Sequence, residues 1–296
     1  MKVIYAFFCI IIFFYSCRKQ SINCSKVCNS ITEVLFQTGF SNTSFHSITK
    51  DWYYLSGTDT LKEEPNSWEN FQNHDCIGNI SINYGNGTEK ERWASIVQDP
   101  IDSSNEVLSF RIISPNDSEP GKKKGRVELD LNRNNCIQKF SQEVQLLLDS
   151  DMKELTQWNQ SFYWLSIFEF WNNANWTQEK YPFRVTVNIV KPNSKPNTPL
   201  YFHVKADIYK QFGKWEKVWE HTSKNFEVPF GTWMNIELCI IEGNTSTGSF
   251  TMKVSTSNTP KQTLFAINNY TQHPKETCPD GYSEIHPLKL YTYKNL

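Results

Sequence analysis

The chain has almost no surplus of charge: 30 Lys and Arg stand against 31 Asp and Glu, a formal net charge of -1. That balance excludes a nucleic acid or other polyanion held by bulk charge, because such binding needs a basic excess. After the first residues, no second hydrophobic run is long enough to cross a membrane. Convincing amphipathic helices are few, and internal repeats, low-complexity tracts and a dividing linker are lacking. Several chemistries lose their motifs as well, since there is no G-x-S-x-G, P-loop, G-x-G-x-x-G or H-E-x-x-H. Beyond Cys17, the cysteines Cys24, Cys28, Cys76, Cys136, Cys239 and Cys278 lack the paired short spacings of a zinc site. No metal and no cofactor is therefore expected. Cys24 and Cys28 are near enough to close a small loop, but the overall disulfide connectivity is not readable from spacing.

What is present begins with MKVIYAFFCIIIFFYSC, one Lys and then an apolar run ending at Ser16 and Cys17. The run has the shape of a secretory signal and is too short for a membrane span. A small residue before Cys17, with Arg18, Lys19 and Gln20 after it, resembles a bacterial lipoprotein cleavage site. The resemblance implies export, a lipid on Cys17 and attachment to the outer membrane, on its periplasmic or cell-surface side. An ordinary secretory signal with Cys17 incidental is the alternative. The expected organisation is a signal at 1–16, a polar tether at 17–32 and one domain over 33–296, acting as a monomer.

The domain reads as strands. Residues 161–173, SFYWLSIFEFWNN, split by alternation into Phe162, Trp164, Ser166, Phe168 and Phe170 on one face. Tyr163, Leu165, Ile167, Glu169 and Trp171 take the other. Residues 126–131 put Val127, Leu129 and Leu131 opposite Arg126, Glu128 and Asp130. In 183–190, Val185, Val187 and Ile189 oppose Arg184, Thr186 and Asn188; in 200–208, Phe202, Val204 and Ala206 oppose Tyr201, His203, Lys205 and Asp207. Further strands are expected at 33–36, 79–84, 94–97, 106–113, 139–148, 214–222, 233–242, 249–255, 264–268 and 288–292. From 37 to 75 the aromatic-dotted segment lacks sustained periodicity and reads as loops. Many short strands with Gly, Pro and Asn turns predict an all-β sandwich or barrel.

The polar faces carry the chemistry. A charged residue in a strand as apolar as 161–173 needs water, a partner or a ligand, which singles out Glu169 beside Trp171. Arg126, Glu128, Asp130, Lys289 and Tyr291 could line the same groove, with Arg184 and His203 on strands able to join that sheet. Rings beside Arg, Glu, Asn and Tyr suit a sugar: rings cover its apolar faces, while charged groups bind hydroxyls or uronate carboxylates. The plain alternative is a sheet face of cross-strand ion pairs.

Arg126-Val127-Glu128-Leu129 resembles the R-S-E-L strand motif of alginate lyases with a concanavalin A-like jelly roll. Pro287-Leu288-Lys289-Leu290-Tyr291 resembles their late motif Y-F-K-A-G-x-Y-x-Q, and their Q-[IV]-H strand falls on Glu169-Phe170-Trp171. Heparin-type and glucuronan-type lyases share the sandwich and similar motifs. The resemblance implies a jelly-roll β-sandwich with a concave, carbohydrate-facing sheet and β-elimination on a polysaccharide. It implies that Arg126 neutralises the substrate carboxylate and that Tyr291 is the acid or base. Glu169 stands where that family has Gln, Trp171 where it has the catalytic His, and the last Gln of the late motif is missing. A base from elsewhere is then required, and His203 is the candidate.

Two other readings stay open. A glycoside hydrolase on the same sandwich would use Glu169 as its protonated acid, with Glu128 or Asp130 as the second carboxylate. A non-catalytic glycan-binding lipoprotein would use Trp171 as a stacking surface, with Glu128, Asp130, Arg184 and Lys289 as polar contacts.

Overall fold

The computed structural model describes residues 2–7, 12–14, 34–40, 42–59, 66–119, 122–173, 180–211 and 214–293. Among them, antiparallel strands dominate and form two large sheets. The nine-stranded sheet runs Thr259–Asn268, Ser249–Thr256, Met234–Ile241, Lys139–Leu148, Lys2–Phe7, Glu106–Ile112 and Arg92–Gln98, with Ile12–Phe14 and Val34–Phe36 pairing beside it. The ten-stranded sheet runs Lys214–Glu227, Tyr201–Gln211, Phe183–Lys191, Phe162–Asn172, Glu284–Thr292, Lys122–Asn132, Asn79–Asn83, Trp52–Ser56 and Ser44–Thr49. Asn116–Glu119 pairs with Lys122–Asn132.

Alternation sends one face of each sheet into a shared core. Met234–Ile241 is buried at every second residue, as expected of a strand with one apolar face. Phe140 of the nine-stranded sheet meets Phe170 of the other with ring centroids 5.7 Å apart, a contact across the sandwich. Val127, Leu129, Leu131, Val185, Val187, Ile189, Phe202, Val204 and Ala206 all join this core, as their alternation predicts. The chain is an all-β sandwich.

Three segments differ from the sequence expectation. Residues 37–75 are more than loops: they supply Ser44–Thr49 and Trp52–Ser56 at the edge of the ten-stranded sheet. They also hold a short helix, Trp68–Gln72, whose N-cap Ser67 Oγ accepts from Asn70 N at 3.0 Å. Strict alternation also fails in the central strand, where the register shifts between Phe162 and Leu165 and between Ser166 and Phe168. Leu165 and Ile167 consequently join the core, and Ser166 turns to the polar face, donating to Asn188 Oδ1 at 2.6 Å. Finally, Lys2–Phe7 lies inside the expected leader yet pairs on both edges, with Glu106–Ile112 and with Lys139–Leu148. A short apolar run suits a paired strand as well as the hydrophobic part of a signal. Cys17 and the tether at 17–32 lie outside the described residues.

Candidate functional site

The outer face of the ten-stranded sheet, away from the shared core, is a grid of polar side chains. Cross-strand register aligns His203, Asn188, Ser166, Tyr291 and Arg126 in one row. Lys205, Thr186, Glu169 and His286 form a second, and Asp207, Arg184, Trp171, Glu284 and Asn132 a third. A backbone irregularity makes the grid possible. Between Leu129–Leu288 and Leu131–Ile285 the last strand has one residue more than its neighbour, so His286 and Pro287 together oppose Asp130. The extra residue resets alternation, and Glu284 and His286 share a face with Lys289 and Tyr291. Without it the two pairs would face opposite ways. Proline suits this position because a bulge spares the ladder hydrogen bond that it cannot donate.

Most of these groups are buried, so each needs partners. Lys289 Nζ is 2.8 Å from Glu128 Oε2 and also pairs with Glu169. Arg184 Nη1 donates to Glu169 Oε1 at 3.3 Å, and its Nη2 lies 3.5 Å from Asp207 Oδ2. Lys205 Nζ closes on Asp207 Oδ1 at 2.8 Å. Arg126 Nε is 3.3 Å from Glu128 Oε1, which also accepts from Asn83 Nδ2 at 3.1 Å. His286 sits among the carboxylates: Nδ1 is 3.3 Å from Glu169 Oε2, and Nε2 is 2.8 Å from Glu284 Oε1 and 3.3 Å from Asp130 Oδ1.

The protonation states follow from this arrangement. Burial alone would raise Glu128, but Arg126, His286 and Lys289 outweigh it and hold its carboxyl at about 2. Glu169 goes well below the usual carboxylate range by the same balance, with Lys289 its strongest support. Burial would lower His286; Glu128, with Asp130 and Glu169 close beside the ring, carries it well above the ordinary imidazole value. Burial, then the charge of Asp130, pushes Glu284 up to about 7. Burial, then Tyr293, raises the Tyr291 phenol, which stays protonated at neutral pH.

The grid has walls. A cavity of about 1020 Å³ opens over one end of it, with Arg126, Asp130, Asn132 and Glu284 in its floor and Trp52 and Tyr54 beside them. Tyr54 is 43% exposed and stacks on His46. At the other end Arg184 lies 4.0 Å over the ring of Trp215 and 5.4 Å over that of Trp171.

The sequence-predicted residues Arg126, Glu128, Asp130, Glu169, Arg184, Lys289 and Tyr291 therefore share one sheet face, with Arg126 and Tyr291 as direct cross-strand partners. His203 shares their row but stands three strands from Tyr291, about 14 Å at the usual strand spacing. Its Nδ1 is 2.8 Å from Thr222 Oγ1, and burial lowers it to about 4 despite Glu220 nearby. Two expected roles do not fit. Trp171 is only 3% exposed and packs edge-on against Trp215, so its ring has no open face for a sugar. Glu169 is held ionised, the opposite of what a hydrolase acid requires.

Sequence reasoning missed Glu284 and His286, whose face depends on the bulge, and Trp52 and Tyr54, whose strand has the pattern of a loop. Pro287 inside an otherwise strand-like run is the available signal. Asp130, Glu284 and His286 each offer a donor atom within 4.8 Å of the others, the one such cluster among the described residues. No known protein family, curated protein or solved structure matches the chain.

Proposed function

We propose that this chain is an exported polysaccharide-processing protein that acts by β-elimination on a uronate-containing glycan, and that its maturation to a lipid anchor at Cys17 takes Lys2–Phe7 and Ile12–Phe14 out of the nine-stranded sheet. The observation that carries the reading is the pairing of Arg126 with Tyr291 across two strands, beside the cavity whose floor holds Arg126. The Arg126 side chain is one-third exposed, enough for its guanidinium to meet a carboxylate and favour the enolate formed when the adjacent proton leaves. Tyr291, kept protonated, suits the acid that protonates the departing sugar oxygen. Glu169 does not repel the substrate, since Lys289, Arg184 and His286 surround it. Trp52 and Tyr54 supply the stacking surface that the buried Trp171 cannot. Two antiparallel sheets on a shared core are compatible with a concanavalin A-like jelly roll, the finer fold proposed here.

A second reading, glycoside hydrolysis, draws on Glu284. A carboxyl at about 7 has the protonated-acid character of that chemistry, and Asp130, also in the cavity floor, supplies the second carboxyl.

The test is incubation of the purified chain with a panel of uronate polymers, followed by ultraviolet absorbance of the unsaturated uronate and by reducing-end analysis. The lyase reading expects absorbance to rise and Tyr291→Phe to abolish the rise. New reducing ends without absorbance, lost in Glu284→Gln, would establish the hydrolase instead. Glycan binding with neither product would leave a binding protein and sink both enzymatic readings.

A further inference from the structure

We infer that Asp130, Glu284 and His286 form a binding site for one divalent first-row transition ion, with Zn²⁺ or Mn²⁺ the fitting class. Two donors, each about 2.1 Å from a common ion at tetrahedral or octahedral angles, stand roughly 3.0–3.4 Å apart. His286 Nε2 lies 2.8 Å from Glu284 Oε1 and 3.3 Å from Asp130 Oδ1, near that spacing.

The donors are poorly served by one another. Asp130 and His286 are each only 1% exposed, yet Asp130 Oδ1 and His286 Nε2 make no hydrogen bond of acceptable geometry. Two buried polar atoms that face each other without bonding carry a cost that an ion between them removes.

The surroundings aim these atoms. Asn132 Nδ2 donates to Asp130 Oδ2 at 2.8 Å, occupying that oxygen and leaving Oδ1 turned toward His286. Glu169 Oε2 stands 3.3 Å from His286 Nδ1, the carboxylate–imidazole arrangement that orients a metal-binding histidine through its second nitrogen. Lys289 approaches the ring from that same side, 3.4 Å from Nδ1, while Glu128 and Glu169 absorb its charge. Two carboxylate oxygens and one imidazole nitrogen, its Nε2 proton released to solvent as the ion binds, favour Zn²⁺, Mn²⁺ or Fe²⁺ over Cu⁺, which prefers sulfur. Asp130 and Glu284 line the cavity, so the remaining coordination positions face incoming substrate.

The site deepens the lyase reading and rests on it for one point only. Near Arg126 and Tyr291 the carboxylates Glu128 and Glu169 are engaged by Arg126, Lys289 and Arg184, and the reading lacks a base. A water on the ion, having released one proton to solvent, would take the substrate proton beside the carboxylate and become water again. The electron pair then forms the double bond as the sugar oxygen leaves with the Tyr291 proton.

The test begins with metal binding alone. Untagged chain stripped with EDTA is titrated calorimetrically with ZnCl₂ and with MnCl₂. One ion per chain is expected, with affinity reduced about tenfold or more in Asp130→Asn and in Glu284→Gln. Glu237→Gln, at a surface ion pair, should leave it unchanged. Absence of binding, or binding that folded Asp130→Asn and Glu284→Gln retain, would overturn the assignment. Anomalous scattering from a Zn²⁺-soaked crystal decides without substitution: a peak among the three side chains supports the site, and a peak only elsewhere rejects it. Metal binding with no glycan turnover keeps the site and removes the lyase reading. Turnover that survives complete removal of the ion removes its role as a base.

Discussion

Replacing Lys289 by Met tests whether the buried charge network holds the sheet face together. The substitution keeps chain length and apolar contact but deletes the ammonium that bridges Glu128 and Glu169. Lys289 is 5% exposed and Glu128 fully buried, so water cannot replace the lost partner. The gap between the ordinary 4.5 of Glu128 and its value of about 2 is on the order of 3 kcal/mol. Arg126, His286 and Lys289 together overcome the opposing burial, so Lys289 is one of three charges that hold Glu128 ionised. Glu169 leans on Lys289 more than on any other charge, and removing one partner of a buried pair costs ~3–5 kcal/mol, so a loss of about 3 kcal/mol is expected. The pH dependence has a definite sign. Both carboxyls are depressed in the folded chain, so their stabilisation is present above about 4.5 and fades as pH falls toward their lowered values, about 2 for Glu128. Urea unfolding at neutral pH should therefore show a loss of about 3 kcal/mol, and near pH 3 the two proteins should draw closer. A loss under about 1 kcal/mol at neutral pH would refute the reasoning, as that is the scale of a surface pair. An equal loss at both pH values would assign the effect to packing.

Other consequences are simpler to state. Trp171→Ala should cost about 3–5 kcal/mol in denaturant unfolding, as for a buried ring, whereas Tyr54→Ala should stay within about 0.5 kcal/mol and weaken glycan binding. If Trp171→Ala leaves stability intact, its placement under Arg184 and Trp215 is wrong. Cys76 and Cys136 have sulfurs 2.7 Å apart, and oxidised glutathione should join them, closing a 60-residue separation (136 − 76) worth about 4 kcal/mol. Peptide mapping under non-reducing conditions checks the pairing, and free thiols at both positions would rule it out. Glu242 is raised well above the usual carboxylate range by burial and by Asp280, so wild-type stability should fall as pH climbs beyond the ordinary Glu value. Glu242→Gln, which removes the titrating carboxyl but keeps an acceptor for only one of Asp280 N and Gly281 N, should lower stability overall and flatten that fall in thermal melts across pH. An unchanged slope would show that Glu242 is not its source.

Much of this fold is legible in the sequence because alternation is local. In residues 126–131 and 183–190, each side chain's face follows from its neighbours, and the core assignments of Val127, Val185 and their partners need nothing more. The candidate site is legible only in part. Arg126, Glu128 and Asp130 share a face by simple alternation, but Glu284, His286, Lys289 and Tyr291 share one only through the extra residue at Pro287. Alternation likewise misplaces Ser166 and Ile167, where the central strand slips against its neighbour.

The sequence by itself determined the all-β character, the strand faces and a polar, aromatic-rich surface, because period-two patterning and turn residues act over a few positions. The tertiary structure alone decided which of those polar groups meet. Strand order brought residues 126–132 beside 284–292, and register set Arg126 against Tyr291 and Glu169 beside His286. It buried Trp171, which composition had offered as a sugar platform, and brought Trp52 and Tyr54 to the cavity instead. It also reversed the expected protonation of Glu169. The physical reason is that a buried carboxyl takes its charge state from neighbours more than a hundred residues away, such as Lys289, and not from its own strand.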